Sequence, residues 1–212
     1  MSAAAGVALG YEAAAQIATP HLRNMGTLGG NLCLDTRCTY YNQSHEWRKA
    51  IDFCLKKDGE TCWVATASKR CVAVSSTDGA PALIALGAAV RLVSAQGERE
   101  VPLAALYNND GIDYLTRRAD EILTEVSVPA GWTSSYWKLR RRGSFDFPVL
   151  GVAAAARLAK DGTVEEARIA LGAAASRPFL VEKAGEFLKG KRLTDEVIAE
   201  AQLAEASGFD SC

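Results

Sequence analysis

The chain has 212 residues, 49% of them apolar, with 24 basic and 25 acidic side chains and a formal net charge of −1. That content can fill the core of one large or two small domains, and charge so evenly interspersed predicts neither a nucleic-acid footprint nor an anionic membrane partner. No apolar run approaches the roughly 20 residues that a spanning helix needs and residues 1–20 lack the basic-then-apolar order of a secretory signal, so a cytoplasmic protein with reduced thiols and small-molecule or subunit partners is expected.

Residues 3–18 are alanine-rich and predict a helix that stops before Pro20, because the residue preceding proline is pushed out of the helical region. A glycine turn follows, Thr27-Leu28-Gly29-Gly30-Asn31. Residues 34–76 are mixed: an aromatic and charged stretch from Tyr40 to Trp47, a short helical pattern around Trp47 to Lys57, and a turn at Asp58-Gly59. Without its cysteines this segment has little reason to hold a shape. Ala80 to Leu86 reads as a buried helix ending at Gly87; Ala89 to Ser94 alternates and, with a turn at Gln96-Gly97, predicts a hairpin. Ile122 to Val128 alternates as a strand and ends at Pro129, where a boundary between two substructures is expected.

Beyond Pro129 the pattern restarts. Tyr136 to Arg140, the small-residue run Val149 to Leu158 and the alternation Val164 to Leu171 predict three meandering antiparallel strands. Helices are expected from Leu180 to Leu188 and from Thr194 onward, where Thr194 can cap and Asp195 and Glu196 favour the positive helix start. Strands followed by helices indicate an α+β unit.

The cysteines carry the chemistry. Cys38, Cys54, Cys62 and Cys71 fall within 34 residues at a spacing of Cys-x15-Cys-x7-Cys-x8-Cys, which is neither a zinc ribbon nor a standard ferredoxin run. Four soft thiolates suit a tetrahedral zinc ion or an iron–sulfur cluster. His45 is the only histidine in the segment, so an all-cysteine site is favoured over a mixed one. The plain alternative is four small buried hydrophobes. Cys33, two residues beyond the glycine turn, reads as a packing residue and is the competing ligand; Cys212 is assigned no role.

The glycine turn is by itself a short motif whose default role is structural, although two glycines let a backbone approach a ligand and peptide N–H groups can face a phosphate. The longer string Arg23-Asn24-Met25-Gly26-Thr27-Leu28-Gly29-Gly30-Asn31 resembles the flavin-subunit signature of the molybdenum hydroxylases, the family of xanthine dehydrogenase and carbon monoxide dehydrogenase. Asp78 with Ala80 to Ala88 is similar to the family's aspartate and following helix, and Glu121-Ile122-Leu123 and Tyr136-Trp137-Lys138 to its later flavin-contacting strands. The stretch Asn31 to Ser44, then Trp47-Arg48, resembles one branch, the β subunits of 4-hydroxybenzoyl-CoA reductases.

The resemblance implies the second half of an FAD-binding domain over 1–129, with an insertion at 34–76, and an α+β C-terminal domain over 130–212 that is expected to be truncated. It implies FAD held by Thr27, Leu28, Gly29, Gly30, Asn31, Asp78, Leu123 and Lys138, and a [4Fe-4S] cluster on Cys38, Cys54, Cys62 and Cys71. As isolated residues these have plainer readings: Asp78 could cap the helix after it, Leu123 could be core, and Lys138 could belong to a basic surface stretch with Arg140, Arg141 and Arg142. The family's first flavin subdomain, with its pyrophosphate-binding loop, has no counterpart here. Another polypeptide, or the rest of a longer chain, is expected to supply it.

By the same resemblance, the complex removes the para-hydroxyl of 4-hydroxybenzoyl-CoA at a molybdenum cofactor on a large subunit, and this chain has no catalytic residue for that step. Electrons are expected to run from ferredoxin through [4Fe-4S] and FAD to [2Fe-2S] clusters of a small subunit and then to molybdenum, in a dimer of heterotrimers. Residues 39–70 carry six basic side chains against four acidic ones, a mild excess that could steer an acidic ferredoxin or be an ordinary solvated face. Two other readings stay open: a flavin subunit of an aldehyde- or xanthine-oxidising relative, and a non-catalytic assembly module braced by zinc.

Overall fold

Small residues decide how this chain packs. A computed structural model describes residues 12–206, with side chains described as far as residue 201. The predicted first helix falls largely outside that range; residues 12–15 are helical. Helix α1 (Pro20–Met25) follows, with Pro20 in its first turn and Thr19 Oγ1 accepting from Leu22 N at 3.3 Å. Proline thus starts a helix here, while the preceding helix already stops at residue 15, short of the predicted residue 18.

The glycine segment is a helix rather than an open turn: α2 (Leu28–Leu32), whose N-cap Thr27 accepts from Gly30 N at 3.0 Å. Helix α3 (His45–Ala50) begins and ends earlier than the pattern around Trp47 to Lys57 predicts. Ser44 caps it, and the chain then turns through Asp52 and Phe53 at φ 60° and 58°, the left-handed region that no helix continues through. Otherwise the cysteine segment is held by isolated bridges, Arg37 with Val74 and Cys54 with Lys57.

Helix α4 (Gly79–Ala85) is buried at every position and lies at the centre of the main core. Gly87, at φ 73°, ends the turn that leads out of it. The hairpin is as predicted: β1 (Ala89–Ser94) pairs antiparallel with β2 (Gly97–Pro102). On its other side β1 pairs with β3 (Ile122–Ser127), giving a three-stranded sheet in the order β2-β1-β3. The register slips by one residue opposite Arg91 and Leu92, which leaves Thr124 as the extra residue of a bulge.

A second sheet, in the order β4-β5-β6-β7, contains β4 (Thr133–Leu139), β5 (Leu150–Leu158), β6 (Val164–Gly172) and β7 (Phe179–Leu180). The three predicted strands are therefore joined by a two-residue fourth, and Leu180 belongs to it rather than to the helix that follows. Ala153, Ala155 and Ala170 form a shallow, fully buried face in the core that also holds α4. Side chains this small let a helix approach a sheet closely, and Leu83, Ile84 and Leu86 fill the space. Each such buried side chain contributes about 1.5–3 kcal/mol. Helices α5 (Glu182–Leu188) and α6 (Asp195–Ala206) pack on each other, with α5 against β6 and Val164, Leu188 and Ala201 in a smaller core. Thr194 Oγ1 accepts from Val197 N at 3.4 Å, the expected cap. The architecture is α+β, and none of the described helices is long and apolar enough to cross a membrane.

Candidate functional site

Two groups of residues, widely scattered in sequence, are gathered by this packing. The first runs along α2, the start of α4 and the strands beside them. Gly29 faces Leu123 of β3: a Cβ built on it would lie 3.5 Å from Leu123 Cδ2, an ordinary contact. Asn31 Oδ1 accepts from Thr77 Oγ1 at 2.8 Å and from Gly79 N at 3.0 Å, tying α2 to the turn that carries Asp78. Asp78 in turn meets Lys138, Oδ2 to Nζ at 2.9 Å. Gly29, Asn31, Asp78, Leu123 and Lys138 thus form one strip, with Thr27 and Leu28 exposed at its end.

The Asp78–Lys138 pair is almost fully withdrawn from water, with side chains 6% and 1% exposed. Asp78 does not cap α4; its second oxygen accepts from Tyr136 Oη at 2.8 Å. Lys138 is not part of a basic surface, because its Nζ also donates to Gln16 O at 3.0 Å. Burial pushes the Asp78 carboxyl above its ordinary value, against the opposing pull of Lys138, Tyr136 and Arg140. Burial likewise raises the Tyr136 phenol, and the Asp78 carboxylate adds to it. The sheet register sets this geometry. Tyr136 and Lys138 share a face of β4 by their two-residue spacing, and Gly151, opposite Lys138, leaves room for the Tyr136 ring.

The glycines of α2 need a separate explanation. Neither Gly29 nor Gly30 has a positive φ. A glycine inside a helix costs about 0.5–1 kcal/mol relative to alanine, and a Cβ fits at Gly29. Packing alone therefore does not demand glycine at position 29. Leu28 and Gly29 occupy the first helical positions, whose N–H groups have no intrahelical acceptor.

The second group is the thiols. Cys38, Cys54, Cys62 and Cys71 line one small cavity, walled by Tyr40, Tyr41, Leu55, Trp63, Val64 and Ala73 and by a single charged residue, Lys56. Cys54, Cys62 and Cys71 are buried and Cys38 is partly so. Cys33 is not among the lining residues; burial raises its thiol and Arg117 opposes that rise. The cavity presents no histidine and no carboxylate. Among the described residues, no group of three His, Cys, Asp or Glu side chains is placed to hold a metal ion.

Peptide N–H groups point at the sulfurs. Burial raises the Cys62 thiol, but the N–H groups of Val72, Ala65 and Val64 outweigh it and leave the thiol below its ordinary value. Ala73 N donates to Cys71 Sγ at 3.4 Å. Cys71 nonetheless stays above its ordinary value because burial dominates, with Cys38 and Cys62 also opposing its ionisation and Ala73 N–H and Lys56 favouring it. Hydrogen bonds of this kind stabilise thiolate and tune an iron–sulfur centre. The donor set therefore suits a sulfur-ligated centre.

Sequence reasoning named Tyr136 only within a stretch similar to a flavin-contacting strand, without its bond to Asp78, and missed two members of these sites. Lys56 and Gly111, the latter packed against Cys71, carry no signal beyond their residue types.

Residues 2–131 match the family described as the FAD binding domain in molybdopterin dehydrogenase, and residues 134–210 that of the CO dehydrogenase flavoprotein C-terminal domain. The aldehyde oxidoreductase FAD-binding subunit PaoB of Escherichia coli is 32% identical over 79% of this chain and 54% of its own length. The nicotinate dehydrogenase FAD-subunit of Eubacterium barkeri is 29% identical over 89% of this chain and 52% of its own. In structure, reconstituted CO dehydrogenase from Oligotropha carboxidovorans superposes with a TM-score of 0.68 at 24% identity, over 98% of this chain and 59% of that one. The chain spans about half the length of the curated relatives it matches. It belongs to the FAD-binding subunits of the molybdenum hydroxylase family, which includes xanthine dehydrogenase and carbon monoxide dehydrogenase.

Proposed function

We propose that this chain is the flavin and iron–sulfur part of a 4-hydroxybenzoyl-CoA reductase, in which 1–129 holds FAD and, through the 34–76 insertion, a [4Fe-4S] cluster, and 130–212 is the C-terminal domain. The observation that carries this reading is the cavity lined by all four of Cys38, Cys54, Cys62 and Cys71. Cys62 is already biased toward thiolate, the ligating form. FAD and the cluster, when bound, supply two-electron and one-electron carriers.

The chain's own residues bind, orient and exclude water. Gly29 and Gly30 open the backbone of α2 to the flavin, with Thr27, Leu28 and Asn31 beside them. Leu123 supplies an apolar wall, and the buried Asp78–Lys138 pair lies behind it and fixes the strand and turn that flank the flavin. Cys71 and Asp78 are seven residues apart on one segment, so chain length alone keeps them within about 25 Å. Large molybdenum-cofactor and small [2Fe-2S] subunits are the proposed partners, in a dimer of heterotrimers, with ferredoxin as donor. Among the described residues five cysteines form no disulfide with one another, which suits a reducing compartment, and the cytoplasm is the proposed one.

A second reading rests on the relatives. PaoB and the nicotinate dehydrogenase subunit are named for aldehyde and nicotinate oxidation, and a flavin subunit of that kind would carry electrons outward. The native complex, purified without oxygen, separates the two. Dehydroxylation of 4-hydroxybenzoyl-CoA with reduced ferredoxin is expected; oxidation of an aldehyde or azaheterocycle with NAD or a quinone, and no turnover of the thioester, would replace the first reading by the second.

A further inference from the structure

Lys56 is the one charged residue in the wall of the thiol cavity, and its side chain is only 6% exposed. Its Nζ donates to Asp35 Oδ1 at 2.7 Å, Thr36 Oγ1 at 2.7 Å and Gly111 O at 2.5 Å, which commits all three ammonium protons. The same nitrogen stands 5.0 Å from the centre of the Tyr41 ring, another wall of the cavity, and 5.5 Å from that of Tyr114. A buried cation needs compensation. Among the described residues the carboxylate it meets is Asp35, which is 47% exposed, so water screens that pairing more than it screens the buried ammonium.

We infer that Lys56 is a positioning residue that holds a fixed positive charge against the thiol cavity and thereby sets the reduction potential of the centre bound there. The inference rests on the proposed iron–sulfur reading. A thiolate-ligated cluster is anionic and gains one further negative charge when a one-electron donor reduces it. A cation held in a low-dielectric wall favours the reduced form, and the effect is larger than at a surface. With its protons committed to oxygens, Lys56 acts through its field and not by hydrogen bonding to sulfur.

The test is a redox titration followed by electron paramagnetic resonance, with dithionite as reductant, on the oxygen-free complex of the wild type and of Lys56→Met, Lys56→Arg and Asp35→Asn. Iron and acid-labile sulfide are measured on each. Lys56→Met is expected to weaken reduction about tenfold, a fall of about 59 mV for one electron, and Lys56→Arg to restore it. Asp35→Asn, which removes the counter-charge at an exposed position, should shift the potential upward. Unchanged potentials in Lys56→Met at full iron content would overturn the inference. If Lys56→Met assembles no cluster, Asp35→Asn decides: a rise sustains the inference and no shift ends it. A wild type without iron and sulfide would instead refute the reading on which it rests.

Discussion

Gly111 packs its backbone directly against Cys71. Its N–H donates to Cys71 O at 2.8 Å, and a Cβ at this position would stand 2.6 Å from Cys71 Sγ and 2.8 Å from Ala73 N. Two of the crowded atoms belong to the sulfur and the peptide N–H that define one corner of the thiol cavity. Gly111→Ala must therefore displace Cys71, at a cost of about 1–3 kcal/mol for overpacking. Loss of iron and sulfide with FAD content unchanged is the expected result. Full metal content in Gly111→Ala would show that the cavity does not depend on this contact.

Gly29→Ala separates folding from binding. The added methyl meets Leu123 at normal contact distance, and alanine is the better helix former by about 0.5–1 kcal/mol. Urea denaturation should show equal or greater stability, while FAD affinity measured by fluorescence falls at least tenfold. Tight flavin binding by this variant would remove α2 from the cofactor site.

Lys138→Met leaves the Asp78 carboxylate buried without its cation. Breaking a pair this deeply buried costs about 3–5 kcal/mol. The double variant Asp78→Asn, Lys138→Met should recover a large part of that loss, because it removes the stranded charge as well. Additive losses in a double-mutant cycle would mean that the two groups do not interact energetically.

Glu121 sets an acid limit. The Arg99 guanidinium binds both its oxygens, at 2.7 and 3.0 Å, and together with Arg118 holds the carboxyl at about 2, below the ordinary 4.5, although burial works in the opposite sense. A depressed folded value means that the carboxylate stabilises the fold above about pH 4.5, and that this contribution drains away as pH falls from 4.5 toward 2. Glu121→Gln should be less stable than wild type at neutral pH, with the gap closing across that window. A gap that stays constant with pH would exclude the linkage.

The two sheets were legible because their signals are local. Alternation from Ala89 to Ser94 and from Val164 to Leu171, with glycine turns between strands, carries the period of a half-buried strand. The alanine face of β5 could be read as a strand but not matched to the helix that covers it. Short helices were not legible. In α2 two glycines argue for a turn, and Thr27 with the contacts of Asn31 overrides them; in α3 the polar pattern runs on past Ala50 while the backbone reverses at Asp52 and Phe53. The two residues of β7 have no pattern at all, since their pairing with β6 is purely tertiary. Within the sites, residue type and family likeness singled out the cysteines and the strip from Thr27 to Lys138. The Asp78–Lys138 pair joins residues 60 positions apart, and nothing in either local stretch announces it.

The proposed cluster requires that the four thiols hold iron and sulfide. Its most direct measurement is iron, zinc and acid-labile sulfide per chain after oxygen-free purification, for the wild type, Cys54→Ser and Cys33→Ser. About four irons with matching sulfide are expected in the wild type and in Cys33→Ser, and none in Cys54→Ser. Zinc without sulfide, or iron that survives Cys54→Ser and disappears in Cys33→Ser, would contradict the account.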